Sequence, residues 1–169
     1  GRNCVTLYGG VPAGVSVFAT GDEPSVLRLV WHRSFQCGEP SIDHEHRQLF
    51  DQTNRLIRAM LQSELESDQM LLLLDQLIRD TTAHFAHEER VLARYGYAGL
   101  DLHVLQHQRL IGRAQEFRKM AAAGELTIGD LVTFMAQEVV LKHLLTEDIA
   151  YFQSLRNTMH PQRMEADGH

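Results

Sequence analysis

From Pro40 to Pro161 the chain runs about 120 residues without a proline. A proline inside a helix removes a backbone hydrogen bond and clashes with the preceding turn, so this whole stretch is open to helix. Turn signals divide it into four. A first helix is expected from about Ile42 to Gln62, with Ser41 as its cap behind Pro40. Ile42, His46, Leu49, Phe50, Thr53, Ile57 and Met60 share one of its stripes. The polar run Ser63–Asp68 reads as a loop, and a second helix starts near Ser67 or Asp68. Its seam is Met70, Leu74, Leu77, Thr81, His84, Glu88 and Val91, in steps of four and three. Gly96 suits the left-handed position that ends it. A third helix, about Leu100 to Ala123, carries His103, His107, Leu110, Ala114, Phe117 and Ala121 and stops at Gly124. A fourth is expected from about Thr127 to Arg156, with Leu131, Met135, Glu138, Val139, Lys142, His143, Thr146 and Phe152 toward its inner side. Short connections between helices of about 20 residues make neighbours antiparallel. The expected fold is therefore all-α, an up-down-up-down four-helix bundle over 41–158, with an extended N-terminal arm over 1–40 and a C-terminal tail over 159–169.

The arm is read from Val5–Tyr8, Val15–Ala19 and Val26–Trp31, short apolar and β-branched runs separated by Gly and Pro. It either packs on the bundle or is the tail of a preceding domain. The chain opens with Gly1, which reads as a segment cut from a longer protein. A net charge of -6 argues against nucleic acid or an anionic membrane as partner, because phosphate binding needs a basic face. No run approaches the roughly 20 apolar residues of a membrane span. Cys4 and Cys37 are the two cysteines. Free thiols in a reducing cytosol are expected rather than a disulfide.

Seven residues stand out on the four helices: His46, His84, Glu88, His103, His107, His143 and Asp148. The pairs His84/Glu88 and His103/His107 are four apart, so each pair projects from one helix face. A single inward histidine is more often a hydrogen-bonded core residue than a ligand. Here that reading has to hold at seven positions, and Glu88 would sit unpaired in an apolar seam, which is costly for a buried charge. A cation in the core relieves Glu88 and Asp148 together. The set has no thiolate, which excludes a Cys-type structural zinc site. Imidazole-rich ligation suits Fe, Cu, Zn or Ni, while Mg and Ca prefer oxygen. Two carboxylates can bridge two metals, and five histidines then divide three and two, which leaves one metal with an open position for a small molecule.

These motifs resemble the hemerythrin family. The resemblance rests on Ile42-Asp43-His44-Glu45-His46, His84-Phe85-Ala86-His87-Glu88-Glu89, His103 to His107, and His143 to Asp148, in order over roughly Trp31 to Leu155, with Tyr97 before the third helix. It implies a non-heme di-iron centre bridged by oxide or hydroxide. His103, His107 and His143 would hold one iron, His46 and His84 the other, and Glu88 and Asp148 would bridge. Dioxygen, or another small diatomic or anionic ligand, would bind at the iron held by His46 and His84. Among the other histidines, His32, His160 and His169 read as surface or tail, His44 faces away from His46, and His87 is displaced to the flank of the site. Glu45 and Glu89 read as solvated.

The sequence departs from the family at Val139 and Val140, where Trp-Leu is frequent, at Leu92 in place of Met, and at Ala98 in place of Pro. Smaller side chains there are expected to open room or admit water. His143 and Asp148 are five apart, about 140° on an α-helix. Local distortion, such as a π-bulge, is expected between them. Oxygenase bundles use mostly carboxylates, so two carboxylates with five imidazoles favour reversible chemistry in a non-catalytic module. The 40 residues before the bundle, and Val30-Trp31-His32 onward, resemble hemerythrin domains of bacterial signalling proteins. That implies a cytoplasmic oxygen or redox sensor beside a neighbouring signalling domain. The alternatives are oxygen storage, a di-iron enzyme (peroxidase, nitric oxide reductase or iron repair), and a structural zinc or manganese bundle.

Overall fold

The computed structural model describes residues 15–18, 26–62, 67–148 and 151–152. Strand β1 (Val15–Phe18) pairs antiparallel with β2 (Val26–Leu29), from Val15 opposite Leu29 to Phe18 opposite Val26. The expected extended runs Val15–Ala19 and Val26–Trp31 thus supply a hairpin through 15–18 and 26–29, while Ala19 and Val5–Tyr8 lie outside the described residues. A single 3-10 turn, Arg33–Phe35, leads to the bundle.

Four helices follow among the described residues: α1 (Pro40–Gln62), α2 (Ser67–Arg94), α3 (Leu100–Ala122) and α4 (Ile128–Thr133), which continues as a π-helical stretch Phe134–Asp148. The first begins two residues before its expected start. Pro40 occupies the first helical position, where its missing N–H costs nothing. The cap is the Glu39 carboxylate rather than Ser41: it accepts from Ile42 N–H at 2.8 Å. Gly96 and Gly124 take φ of +65° and +72°, the left-handed geometry expected at the ends of α2 and α3. Thr127 and Asp130 form a reciprocal capping box at the start of α4. Of the expected loop 63–68, Ser67 and Asp68 are already helical, and 63–66 lie outside the described residues.

The expected distortion near His143 is present and is longer than a local bulge. Backbone bonds reach five residues back throughout Phe134–Asp148. The wider turn brings residues five apart closer to one side, so His143 and Asp148 both point into the core, where both are buried. The same winding departs from the α-helical reading of the inner face at Glu138 and Lys142, while Met135 and His143 are buried as expected. Phe134, Met135 and Leu144 are buried, whereas Lys142 is exposed and the Glu138 side chain is 42% exposed beside Arg113. The side chains of Val140 and Thr146 lie outside the described set.

Two apolar clusters fill the bundle. The larger includes Phe50, Leu56, Ile57, Leu74, Phe117 and Leu131. The smaller holds Cys37, Ile42, Leu92, Tyr151 and Phe152. Between them in each helix fall the polar residues: His46 between Ile42 and Phe50, Glu88 between Phe85 and Leu92, Asp148 between Leu144 and Tyr151. Cys37 is free and buried; Cys4 lies outside the described residues. The hairpin docks on α1. Asn54 receives the Leu29 N–H at 2.7 Å and donates to the Leu29 carbonyl at 2.9 Å. Leu29 is buried, and Trp31 packs edge-on against Phe35 and Phe50, with its ring centroid 6.1 Å from that of His46. No helix among the described residues is long and apolar enough to cross a membrane.

Candidate metal centre

The bundle brings all seven expected residues into one buried layer. Helix α1 contributes His46, α2 His84 and Glu88, α3 His103 and His107, and the π-helical stretch His143 and Asp148. The layer has two sides. Donor atoms of Glu88, His103, His107 and His143 lie within 4.8 Å of one another, and so do those of His46, His84 and Glu88. Glu88 belongs to both groups. Asp148 joins them in another way. Its Oδ1 is 3.4 Å from His143 Nε2 and 3.7 Å from His103 Nε2, while its Oδ2 is 3.7 Å from His46 Nε2. One carboxylate thus turns an oxygen toward each side.

The protonation pattern prepares the imidazoles as ligands. Ionised carboxylates only accept, so a ring nitrogen beside one carries the proton. Glu45 Oε2 holds His84 Nδ1 at 2.8 Å, Glu89 Oε1 holds His107 Nδ1 at 2.8 Å, and Glu147 Oε2 holds His143 Nδ1 at 2.9 Å. Each Nε2 is thereby turned to the layer: that of His84 has no partner, and those of His107 and His143 lie 3.2 Å apart. Carboxylate partners of this kind fix ring orientation and raise ligand basicity. Glu45 and Glu89, expected in solvent, are therefore half-buried partners of ligand-type histidines, and Glu147 is a third that sequence reading passed over. A signal was available: each stands directly beside a cluster residue, His46, Glu88 or Asp148. On the other side of Glu88, the Tyr151 hydroxyl donates to Oε1 in a very short contact. Phe85 stacks on His107 with centroids 3.8 Å apart and planes 3° from parallel.

The residues fit a pair of cations by what they lack. Asp148 is 0% exposed, and neither of its oxygens has a hydrogen-bond partner; His84 Nε2 and His46 Nδ1 are likewise buried without one. Groups in that state cost free energy unless something else satisfies them. Burial, with Glu88 and Glu147 nearby, pushes the Asp148 carboxyl well above its usual range. Burial also raises that of Glu88, but hydrogen bonds from His103 and His107 and the neighbouring imidazoles outweigh it and hold the group well below its usual range. Burial drives His46 down to about 3, with the adjacent His84 adding to the effect, so the ring is neutral at physiological pH, as a ligand must be.

A narrow apolar cavity of about 60 Å³ opens on this layer beside His46, His84 and Asp148. It runs along the core past Val139, Leu110, Leu77, Leu74 and Phe117. One water needs roughly 10–15 Å³, so the cavity has room, but an apolar lining leaves water without partners. Val139 is part of its lining.

An antiparallel helical bundle with a buried histidine–carboxylate layer defines a metal-binding class of protein. The hemerythrin HHE cation-binding domain family matches residues 38–166. The chain belongs to the hemerythrin family, which is of the di-iron, dioxygen-binding type. It is similar to a bacteriohemerythrin of Pseudomonas aeruginosa, 28% identical over 134 residues that cover 79% of this chain and 86% of that one. A bacteriohemerythrin of Clostridium acetobutylicum is 29% identical over 128 residues, 73% of this chain and 98% of the relative. Among solved structures, a wild-type hemerythrin superposes with a TM-score of 0.66 at 26% identity, covering 75% of this chain and 97% of the other.

Proposed function

We propose that this chain holds two iron ions through His46, His84, Glu88, His103, His107, His143 and Asp148 and binds dioxygen reversibly on the His46/His84 side. The observation that carries the reading is the split of Asp148, with one unsatisfied oxygen toward each histidine group. Two ferrous ions would supply the electrons with which a diatomic gas is held. The chain's residues do the rest. His103, His107 and His143 saturate one side with nitrogen donors, while His46 and His84 leave the other with fewer. The cavity admits a small uncharged molecule to that side and excludes water, which favours release of the gas unchanged over its departure in reduced, protonated form. Tyr151 donates to Glu88 and leaves its other oxygen for the cluster.

The division into an arm over 1–40, a bundle over 41–158 and a tail over 159–169 belongs to the same proposal, as does a cytoplasmic sensing role beside a signalling domain. What supports sensing over storage is the docked hairpin: Asn54 and Trp31 tie it to α1 on the flank of His46. Anaerobic reduction followed by air, read by optical spectroscopy, tests the binding. Charge-transfer bands should appear with air, fade under argon and be absent in His84→Ala. Two iron ions per chain with no such bands would sink the oxygen-binding reading. A full-length reading frame with an output domain next to this segment supports sensing; a stop codon just after His169 supports storage.

A further inference from the structure

Expected at the flank of the site, His87 is tied into it. Its Nδ1 lies 2.7 Å from Glu45 Oε1, and the other oxygen of the same carboxylate lies 2.8 Å from His84 Nδ1. One carboxylate from α1 therefore spans two imidazoles of α2, one oxygen to each. Among the described contacts, the other two carboxylate partners differ: Glu89 and Glu147 each hold one cluster histidine and have no second imidazole.

We infer that His87 is a positioning residue: it clamps Glu45 in the rotamer that receives the His84 Nδ1 proton and so sets how firmly the His46/His84 side retains its metal. This rests on the di-iron reading above. The physical need for a clamp is clear. A glutamate has three free torsions, and Glu45 and His87 are each 29% exposed, facing a surface pocket with Gln48, Gln52, Asp80 and Arg90. Water there competes for the carboxylate, and ordering such a side chain costs conformational entropy. With both oxygens occupied by ring N–H donors, Glu45 has little reason to leave. His46, the partner of His84 on this side, has no hydrogen bond to its own Nδ1. The firmness of this side therefore falls on His84.

The test uses the iron-loaded chain and a ferrous chelator, with the two irons followed separately, alongside nitrogen-15 NMR of the imidazoles in metal-free protein. Partners of ligand histidines typically change metal affinity about 10–100-fold. Glu45→Gln should speed release of one iron by that factor. His87→Ala should speed release of the same iron about threefold to tenfold, at the low end of that range because it acts through Glu45. His87→Gln, which keeps a donor, should fall back toward the parent rate. Glu89→Gln should act on the other iron. In metal-free protein His87→Ala should weaken the Nδ1–H preference of His84, a signature that loss of packing alone would not move. Parent release rates with an unchanged His84 tautomer would overturn the inference, and so would equal acceleration of both irons. Should His87→Ala not fold, His87→Leu, which likewise lacks a donor, carries the same arms. A parent chain that takes up no iron ends the di-iron reading, while the metal-free NMR still decides whether His87 governs the His84 tautomer.

Discussion

On one side of the buried layer, His103, His107 and His143 come from two helices, two of their rings are held by Glu89 and Glu147, and Phe85 lies flat on His107. On the other, His46 has an unpartnered Nδ1, His84 depends on Glu45, and the apolar cavity opens alongside. The first side is saturated and braced; the second is sparser and accessible. The difference teaches how a single polar layer can retain metal while leaving a place for a guest. With metal bound as proposed, the braced side would supply retention, and the shared carboxylates would lend it to the sparser one.

The largest effect should come from removing what the sides share. Glu88→Gln is expected to reduce iron from two per chain to near none, read by metal analysis; retention of both would break the idea that Glu88 serves both groups. Next, His107→Ala should lower iron content more than His84→Ala, because it dismantles the braced side, and a reversed order would invert the comparison. Acid should then act on the sparser side. In metal-free protein the His46 ring stays neutral to about 3, against 6.5 for a free histidine. Between those values the unfolded chain takes up a proton that the folded chain refuses. Stability from this group is thus full above about 6.5 and is lost as pH falls toward 3. Asp148, shifted upward, works in the opposite sense. The urea midpoint should fall on going from pH 7 to pH 4, and His46→Phe should flatten the slope. The smallest effect belongs outside the layer. Asn54→Ala leaves the Leu29 N–H and carbonyl unpaired and should cost about 1–3 kcal/mol in urea unfolding, with iron content unchanged.

The buried positions of His46, His84, Glu88, His103, His107 and His143 are legible in sequence because each lies on the same stripe as apolar neighbours, at helical spacing. Even the irregular winding near Asp148 is readable, since two residues five apart cannot share a face on an ordinary helix. Its extent was not. Nothing in Phe134–Asp148 marks where the wider turn begins, so α-helical spacing turns Glu138 and Lys142 inward, whereas Lys142 is exposed and Glu138 only partly buried. Glu45 and Glu89 were misread for another reason. Periodicity describes one helix at a time, whereas Glu45 serves a histidine on α2 and Glu89 one on α3. A residue one step off a buried stripe points at the neighbouring helix, and only packing decides whether it meets water or an imidazole. The hairpin's seat was illegible likewise, because Asn54 reads as a polar surface residue until β2 is laid across it.

Trp31 is the only tryptophan in the chain, and it packs against the flank of His46. A transition-metal centre that absorbs in the near ultraviolet quenches an indole at that range. The molecule thus contains its own optical gauge: emission from this one residue should dim as iron loads and recover on chelation. Because Trp31 also joins the hairpin to the bundle, the same signal would report any movement of the arm that accompanies a change at the metals, without a label.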